Sequence, residues 1–338
     1  MKIAFFSLKS WEKDYVVANG GFVEAGVEAV FSESKLNVDN VPSQADFEAI
    51  SVFVDCSVDK SVLDRLPNLK FIATRSTGYD HIDVAAAKER GIVVSSVPSY
   101  GENTVAEYAF ALILALSRKI CDAKCQVKEE GSFSRDKLKG FDLRGKTLGV
   151  VGTGKIGRHV VRMAKGFEME VVAFDAFPDL KFAAEMGFAY LPLADVLAKS
   201  DILTLHVPYM KETHHLINTG NIGQMKKGAY LINTARGAVV ETEALVKVLK
   251  SGWLSGAGLD VLEEEGAIED EVDLLAGGKL EGHNLQTILA DHVLIDMPNV
   301  IVTPHNAFNS QEGLQRILDT TIENIKGFMV GAPVNIVK

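Results

Sequence analysis

The length, composition and charge of the chain exclude several classes of protein. Its 338 residues are enough for two ordinary domains, and a hydrophobic content of 47% supplies apolar side chains for two cores. Asp and Glu number 45 against 35 Lys and Arg, and the resulting net charge of −10 disfavours a nucleic acid as the partner.

The first hundred residues read as one α/β unit, because short apolar runs alternate with helical patterns. Strands are predicted near Ile3–Phe6, Val52–Val54, Phe71–Thr74 and Ile92–Val94. A helix is predicted over Val84–Arg90, and Gly91 is suited to end it, because glycine adopts the left-handed C-cap conformation at little cost.

A long apolar helix is predicted to follow, opening with the capping box Thr104-Val105-Ala106-Glu107 and running from Val105 to about Arg118. Its faces are apolar nearly all round, which indicates burial within the chain or against a second subunit. Its most apolar stretch is less than half the roughly 20 residues that a membrane helix needs. The apolar run at the start of the chain is too short for a signal peptide, so we expect a cytoplasmic protein.

The three cysteines, Cys56, Cys121 and Cys125, cannot form a disulfide framework. Cys121 and Cys125 lie four residues apart on a predicted helix, where a metal pair is conceivable. We favour the interpretation that the cysteines are small, buried apolar side chains of a protein in a reducing compartment. The sequence has no cluster of Cys and His with zinc spacing, so no metal site is expected.

The second half of the chain predicts a second parallel α/β unit. Its strands are predicted over Thr147–Val151, Glu170–Phe174, Ile202–Leu205, Ala229–Ile232, Ser255–Leu259 and Val300–Thr303. Helices are predicted over Ile156–Gly166 and Thr242–Leu249, and an acidic, glycine-containing surface insertion over residues 266–280. The final helix, Gln311 to about Met329, is expected to pack back on the first unit. The first domain therefore comprises residues 1–100 and 306–338, and the second comprises residues 101–305.

A glycine-rich turn follows the first strand of this second unit. Gly152-Thr153-Gly154-Lys155-Ile156-Gly157 lies between a strand and a helix. In such a turn the first glycine permits the tight bend, the second lets the backbone approach a pyrophosphate, and the third lets helix and strand pack closely. The helix N-terminus then offers N–H groups to the phosphates. The pattern indicates a dinucleotide site.

The next strand ends at Asp175, eighteen residues after Gly157. A carboxylate at this place accepts hydrogen bonds from the ribose hydroxyls and repels a 2′-phosphate. Ala176-Phe177-Pro178 supplies no arginine for that phosphate. NAD is therefore favoured over NADP, and a structural turn with a solvated aspartate is the alternative.

Three chemically active side chains follow later strands of the same unit. Arg236 follows the strand ending at Ile232, the glutamates Glu263 to Glu265 follow the strand ending at Leu259, and His305 follows the last strand. Because ligands bind at the carboxyl ends of parallel strands, these groups are expected to converge on the nicotinamide.

Such a set suffices to reduce a 2-oxo acid. Histidine ordinarily titrates near neutral pH and can protonate the developing alkoxide. A carboxylate on the other ring nitrogen orients the imidazole, and an arginine binds the substrate carboxylate and polarises the carbonyl. Each residue also has a purely structural alternative: a core histidine, a solvated acidic face, or an ion pair at a helix start. The three together favour catalysis.

The chain resembles the D-isomer-specific 2-hydroxyacid dehydrogenase family, and within it the D-lactate dehydrogenases most. The stretches that carry the resemblance are Val151–Gly157, His206–Pro208, Asn233–Gly237, Gly258–Val261 and Thr303–Phe308. The resemblance implies a Rossmann-type doubly wound parallel sheet beside a smaller, flavodoxin-like α/β substrate domain. It also implies a homodimer built through the Val105–Arg118 region.

The resemblance assigns residue roles as well. It implies that Arg236 binds substrate, that Glu265, five residues after Asp260, supports the histidine, and that His305 is the acid/base. Residues implied to contact NAD, besides the three glycines, are Lys155, Ile156, Asp175, Val207, Pro208, Thr213, Thr234, Ala235 and Asp260. Residues implied to contact substrate, besides Arg236, are Ser76, Thr77, Gly78, Tyr100 and Phe308.

The substrate is left open by the sequence. D-lactate dehydrogenases usually carry a tyrosine after the residue equivalent to Phe308, and this chain has Asn309. Pyruvate is the preferred expectation, with an aromatic, branched or glycerate-type 2-oxo acid as alternatives. An NAD-sensing binding protein is a hypothesis of another class, and the complete set of Arg236, Glu265 and His305 argues against it.

Overall fold

The computed structural model describes residues 1–22, 25–42, 46–266 and 284–337. The chain forms two compact units, Met1–Gly101 with Asn309–Lys338, and Glu102–Phe308. The sequence placed the two boundaries one and three residues earlier, so the segment from Asn306 to Phe308 lies with the second unit. The predicted insertion, residues 266–280, falls outside the described residues except for Gly266.

The secondary structure alternates strands and helices along the described residues. The strands are β1 (Lys2–Phe5), β2 (Glu28–Phe31), β3 (Ala49–Val52), β4 (Phe71–Thr74), β5 (Val93–Ser95), β6 (Thr147–Val151), β7 (Glu170–Phe174), β8 (Ala189–Tyr190), β9 (Ile202–Leu205), β10 (Tyr230–Asn233), β11 (Gly256–Leu259) and β12 (Val300–Val302). The helices are α1 (Ser10–Gly20), α2 (Lys60–Asp64), α3 (Val84–Glu89), α4 (Glu102–Ser117), α5 (Ile120–Glu129), α6 (Lys155–Gly166), α7 (Leu180–Met186), α8 (Leu193–Lys199), α9 (Thr242–Lys250), α10 (Leu285–Asp296) and α11 (Gln311–Met329).

The first unit is a parallel sheet in the order β2-β1-β3-β4-β5, the flavodoxin-like arrangement. Its central strands β3 and β4 are buried along their whole length because helices cover both faces of the sheet. Helix α11 covers one face together with α1: Leu318 and Ile322 join the core, and the rings of Phe71 and Phe328 stack at 4.5 Å. The predicted return of the final helix to this unit is confirmed.

The second unit is a parallel sheet in the order β12-β11-β10-β9-β6-β7-β8 among the described residues. The order reverses between β6 and β9, which is the switch point of a Rossmann-type doubly wound sheet. Apolar cores lie on both faces, and α4 belongs to one of them through Ala109, Ile113 and Leu116. The two-domain fold class expected from the sequence is confirmed.

Two predicted boundaries are wrong. The strand predicted over Val52–Val54 lies at Ala49–Val52. The prediction failed because Ser51, a polar residue, is buried within the strand. Its hydroxyl accepts a hydrogen bond from the Arg75 guanidinium at 3.1 Å, which removes the cost of burying it. The capping box at Thr104 is also absent: α4 begins at Glu102, an acidic residue suited to the positive end of the helix dipole, and Thr104 is buried inside the helix.

The cysteine prediction is partly wrong. Cys56 is buried as expected, whereas Cys121 and Cys125 are exposed on α5. Helix α5 has no buried residue, so its side chains do not form part of either core of the second unit. Among the described residues, no helix is both long and apolar enough to cross a membrane.

Candidate active site

The predicted site residues of the second unit follow its strands at one edge of the sheet. Arg236, Glu265 and His305 come after β10, β11 and β12, three neighbouring parallel strands. The last residues of these strands are in register, with Asn233 beside Leu259 and Leu259 beside Val302. The glycine turn and Asp175 come after β6 and β7 of the same sheet. One sheet edge therefore carries both the glycine turn and the three catalytic candidates.

The glycine turn has the close packing that its sequence predicts. A Cβ at Gly157 would lie 2.1 Å from the carbonyl oxygen of Gly152, so only glycine fits where α6 crosses the turn. Gly152 itself has a φ of 92°. Gly154 is the N-cap residue of α6, and a Cβ there would meet no atom within 4 Å. The helix N-terminus is therefore open at Gly154, as the approach of a pyrophosphate group requires.

Asp175 is held in place by its neighbours. One carboxylate oxygen accepts hydrogen bonds from the Thr153 backbone N–H and hydroxyl, at 2.6 and 2.9 Å, and the other accepts from the Phe177 N–H at 2.8 Å. The hydroxyl of Tyr190 lies 2.8 Å from that of Thr153. Thr153 and Tyr190 were not singled out from the sequence. They fix the orientation of the carboxylate that the sequence assigned to the ribose.

Two buried polar atoms near the sheet edge have no partner among the described residues. They are the hydroxyl oxygen of Thr234 and Nδ1 of His206. Burial lowers the pKa of His206 to about 3, so its ring is neutral near pH 7. Unpartnered buried polar atoms are unusual in folded proteins, and a bound polar ligand would satisfy them. Together with the open space at Gly154, this observation fits the predicted dinucleotide.

The remaining predicted cofactor residues line the same edge. Lys155 and Ile156 form the first turn of α6, and Val207, Pro208 and Thr213 lie in the loop after β9. The Thr213 hydroxyl shapes that loop by donating to the Pro208 carbonyl at 2.7 Å. Ala235 lies in the turn after β10, where its N–H donates to the Asn233 side chain at 3.0 Å.

His305 and Glu265 form the predicted couple. Nδ1 of His305 lies 2.9 Å from Oε1 of Glu265, and both side chains are partly exposed. The second carboxylate oxygen of Glu265 faces the Leu262 N–H at 3.4 Å. With Nδ1 donating to the carboxylate, Nε2 is the ring atom that can exchange a proton with a ligand.

Asp260 shapes the loop that carries His305. Its carboxylate accepts hydrogen bonds from the Thr303 hydroxyl at 2.6 Å and from the N–H groups of Asn306 and Ala307, each at 2.8 Å. His305 has a φ of 47°, a left-handed conformation that is costly for most residues. Burial raises the pKa of Asp260, and the three hydrogen bonds oppose that shift. The sequence assigned Asp260 to the cofactor and missed this role, although its place after β11, the neighbour of the strand that precedes His305, could have indicated it.

We expect Asp260→Asn to loosen this loop. The amide presents N–H groups where three donors need acceptors, and each unsatisfied buried group costs about 1–3 kcal/mol. The melting temperature should fall by about 5 °C, and kcat should fall with it because His305 loses its fixed position. Differential scanning fluorimetry and NADH oxidation at 340 nm measure both, with the exposed Asp142→Asn as control. Unchanged melting and turnover would contradict the role.

Arg236 and Phe308 complete the second unit's candidates. The Arg236 guanidinium donates to the Ala235 carbonyl at 2.8 Å, and the side chain is partly exposed. The following residue, Gly237, packs so closely that a Cβ would lie 2.0 Å from the Leu262 carbonyl oxygen, which brings the arginine turn against the segment preceding Glu265. The Phe308 ring stands edge-on to His305, with 6.3 Å between ring centroids.

The remaining substrate candidates belong to the first unit. Ser76, Thr77 and Gly78 follow β4: the Ser76 hydroxyl donates to the Gly78 carbonyl and the Thr77 hydroxyl to the Val97 carbonyl, each at 2.6 Å. The carbonyl of Tyr100 accepts a hydrogen bond from Arg316.

Arg75, beside this loop, was not singled out from the sequence. Its fully buried guanidinium donates to the carbonyls of Phe6 and Ser7 at 2.8 and 2.6 Å, and burial lowers its pKa. These bonds tie the start of the loop to the end of β1.

Comparison with known proteins agrees with this geometry. Residues 110–307 match the sequence model of the family described as D-isomer specific 2-hydroxyacid dehydrogenase, NAD binding domain. A 2-hydroxyacid dehydrogenase A of Aspergillus oryzae is 38% identical over 98% of this chain and 93% of its own. A glyoxylate reductase of Korarchaeum cryptofilum is 37% identical over 86% of this chain and 83% of its own.

A solved structure extends the likeness to the fold. The D-lactate dehydrogenase of Aquifex aeolicus, complexed with NAD and lactic acid, superposes with a TM-score of 0.85 at 36% identity, covering 98% of this chain and 96% of its own. Sequence likeness over nearly the whole chain thus accompanies the Rossmann-type sheet and its glycine turn. The chain belongs to the D-isomer-specific 2-hydroxyacid dehydrogenase family and is an NAD-dependent 2-hydroxyacid dehydrogenase.

Proposed function

We propose that the enzyme reduces pyruvate to D-lactate, with His305 as proton donor, Glu265 as its support and Arg236 as the substrate anchor. The observation that carries the proposal is the 2.9 Å contact between His305 and Glu265 at the sheet edge where Arg236 also lies. An imidazole held by a carboxylate beside a guanidinium is the donor set that carbonyl reduction requires.

NADH, when bound, supplies the hydride that reduces the carbonyl carbon, and the chain's own residues manage the charge and the proton. Arg236 binds the carboxylate of the 2-oxo acid and polarises its carbonyl oxygen. His305 transfers a proton from Nε2 to that oxygen as negative charge develops on it. Glu265 orients the ring and stabilises the positive charge that the imidazole carries before the transfer. The product is the 2-hydroxy acid.

We assign the other predicted residues by the same reasoning. Asp175, fixed by Thr153 and Phe177, would accept hydrogen bonds from a ribose and repel a 2′-phosphate, which supports NADH over NADPH. Thr234 would give its unpartnered hydroxyl to the cofactor. Ser76, Thr77, Gly78, Tyr100 and Phe308 are the further residues that we propose for the substrate.

Small substrates are favoured by the surroundings of His305. The Phe308 ring lies edge-on beside the imidazole and would form an apolar wall close to the reacting carbon. The likeness to a D-lactate dehydrogenase and to a glyoxylate reductase supports acids of two or three carbons. Glyoxylate is therefore the second candidate substrate.

A steady-state screen tests the proposal. Glyoxylate, pyruvate, 2-oxobutyrate, 2-oxoisocaproate, hydroxypyruvate and phenylpyruvate are each offered with NADH and with NADPH, and absorbance at 340 nm is followed. We expect the highest kcat/KM with pyruvate, and with NADH at least about tenfold above NADPH. A higher kcat/KM with phenylpyruvate or 2-oxoisocaproate would overturn the assignment of substrate, and preference for NADPH would overturn the role of Asp175.

We also infer a homodimer in the cytoplasm. The apolar side chains of Ile120 and Val127 on α5, which directly follows α4, are 54% and 44% exposed. A second subunit packed on this region would cover them. Sedimentation equilibrium measures the mass, and a monomer at micromolar concentration would contradict the dimer.

A further inference from the structure

The three consecutive glutamates after β11, Glu263 to Glu265, are each fixed by a different part of the second unit. We call residues 263–265 the glutamate segment. Its last member holds His305, as described above. Its first two members contact α9, α10 and the loop before β10. The proposed mechanism leaves these contacts unused.

Glu263 is bound on two sides. Its Oε1 lies 2.6 Å from Nε2 of His215. Its Oε2 accepts a hydrogen bond from the Thr242 hydroxyl at 2.9 Å and faces the Thr242 N–H at 3.3 Å, at the start of α9. The carboxylate is only 14% exposed. Burial of a carboxylate is costly unless the group is hydrogen-bonded, and these partners offset that cost for Glu263.

Glu264 is bound through its backbone and its side chain. Its N–H donates to Oδ2 of Asp291 at 3.0 Å, and its Oε1 accepts from the Asn284 N–H at 3.0 Å, at the start of α10. Asp291 is fully buried on α10. Its contact reaches the peptide bond between Glu263 and Glu264, one residue before the glutamate whose carboxylate holds His305.

Asp291 is an unusual residue for a helix interior. Its Oδ1 is buried and has no hydrogen-bond partner among the described residues. Burial and the nearby carboxylates of Glu263 and Glu264 raise its pKa to about 6, and the Glu264 N–H and the nearby Thr242 side chain oppose the shift. A buried carboxyl group with one incomplete oxygen costs stability, and a leucine or alanine would avoid that cost. Its presence therefore points to a role other than stability.

We propose that Asp291 is a positioning residue, which fixes the backbone of the glutamate segment so that Glu265 stays on Nδ1 of His305. This proposal rests on the proposed roles of Glu265 and His305. Glu263 provides the second point of attachment through His215 and Thr242. The two residues that precede Glu265 are thus both held in place, Glu263 through its side chain and Glu264 through its backbone N–H.

Replacement of Asp291 tests the proposal with two readouts. Asp291→Ala removes the acceptor of the Glu264 N–H, and we expect kcat with pyruvate to fall about tenfold while the Kd of NADH changes less than about twofold. Asp291→Asn keeps an oxygen for that N–H and is neutral, so its kcat should stay within about threefold of the parent. Hydrogen exchange of the amides in residues 262–266, measured by mass spectrometry, should accelerate in Asp291→Ala alone.

A matched control separates positioning from stability. Leu294 lies about one turn further along α10 and is also buried, and Leu294→Ala creates a cavity in the apolar core while leaving the acceptor of the Glu264 N–H in place. Leu294→Ala should lower the melting temperature and leave kcat unchanged. In a Glu265→Gln background, Asp291→Ala should cause almost no further loss of kcat, because both changes disturb the same contact.

Three results would overturn the proposal. They are a kcat for Asp291→Ala equal to that of Leu294→Ala, losses of kcat that multiply in the double variant, or unchanged exchange of residues 262–266. Failure of the proposed function looks different: the unmutated enzyme would reduce no 2-oxo acid. The exchange measurement would in that case still decide whether Asp291 holds the segment.

Discussion

His305→Asn is expected to lower kcat about a thousandfold, because removal of a general acid typically costs 10²- to 10⁴-fold. Asparagine is the appropriate replacement, since His305 has a φ of 47° and asparagine tolerates the left-handed region better than alanine or glutamine does. The fold and the loop bound by Asp260 should therefore persist. Stopped-flow absorbance at 340 nm measures the chemical step, and fluorescence titration should give a Kd of NADH within about twofold of the parent.

The controls for this result use other members of the same site and unit. Glu265→Gln leaves the imidazole in place but removes its negative partner, so its loss of kcat should be smaller, about 10- to 100-fold. His159→Gln on α6 replaces a histidine outside the proposed site and should keep full turnover. Retention of more than a tenth of kcat by His305→Asn would remove the imidazole from the mechanism.

Arg236→Ala is expected to raise the KM for pyruvate and to lower kcat, with a combined loss of about a thousandfold in kcat/KM. That loss corresponds to about 4 kcal/mol of transition-state binding, which is reasonable for a charged group that binds both the carboxylate and the developing alkoxide. Arg236→Lys keeps the charge but not the planar pair of donors, so it should recover only part of the loss. Steady-state kinetics with varied pyruvate at saturating NADH separates the two parameters.

The control for the arginine is Arg144→Ala, which removes an exposed guanidinium of the same unit. It should change neither parameter. If Arg236→Ala raised KM but left kcat unchanged, the guanidinium would bind the substrate without polarising its carbonyl. If it changed neither, the anchoring role would be wrong.

The fold was predictable where the chain has a strict pattern. The strands of the second unit are continuous apolar runs that end in chemically distinctive residues, so all but one of the seven were placed within about a residue; the two-residue strand β8 was missed. Strand β3 was misplaced because Ser51 interrupts its run, and only the partner of that hydroxyl, Arg75, explains its burial. No bounds were predicted for strand β2 or for helices α1, α2, α7, α8 and α10. In α1 and α10 the apolar residues do not follow one clear stripe.

The candidate site was predictable only in the three groups that are proposed to act in the reaction. Arg236, Glu265 and His305 have functional group chemistry that indicates a role, and parallel strands bring them to one edge. Their supports could not be read in the same way. Thr153 and Asp291 act through hydrogen bonds to residues 22 and 27 positions away, and nothing in the local sequence distinguishes them from ordinary polar residues. Contacts of this kind depend on tertiary packing, which a single sequence does not specify.

The position of β12 in the sheet has a consequence for the heated enzyme. This strand is the outermost of its side among the described residues, paired with β11 alone and only partly buried, whereas β6 lies in the middle of the sheet. Outer strands open at a lower free energy than central ones. The proposed proton donor, His305, follows this outer strand, whereas the glycine turn follows a central one. Warming should therefore abolish turnover at a temperature at which the protein still binds NADH.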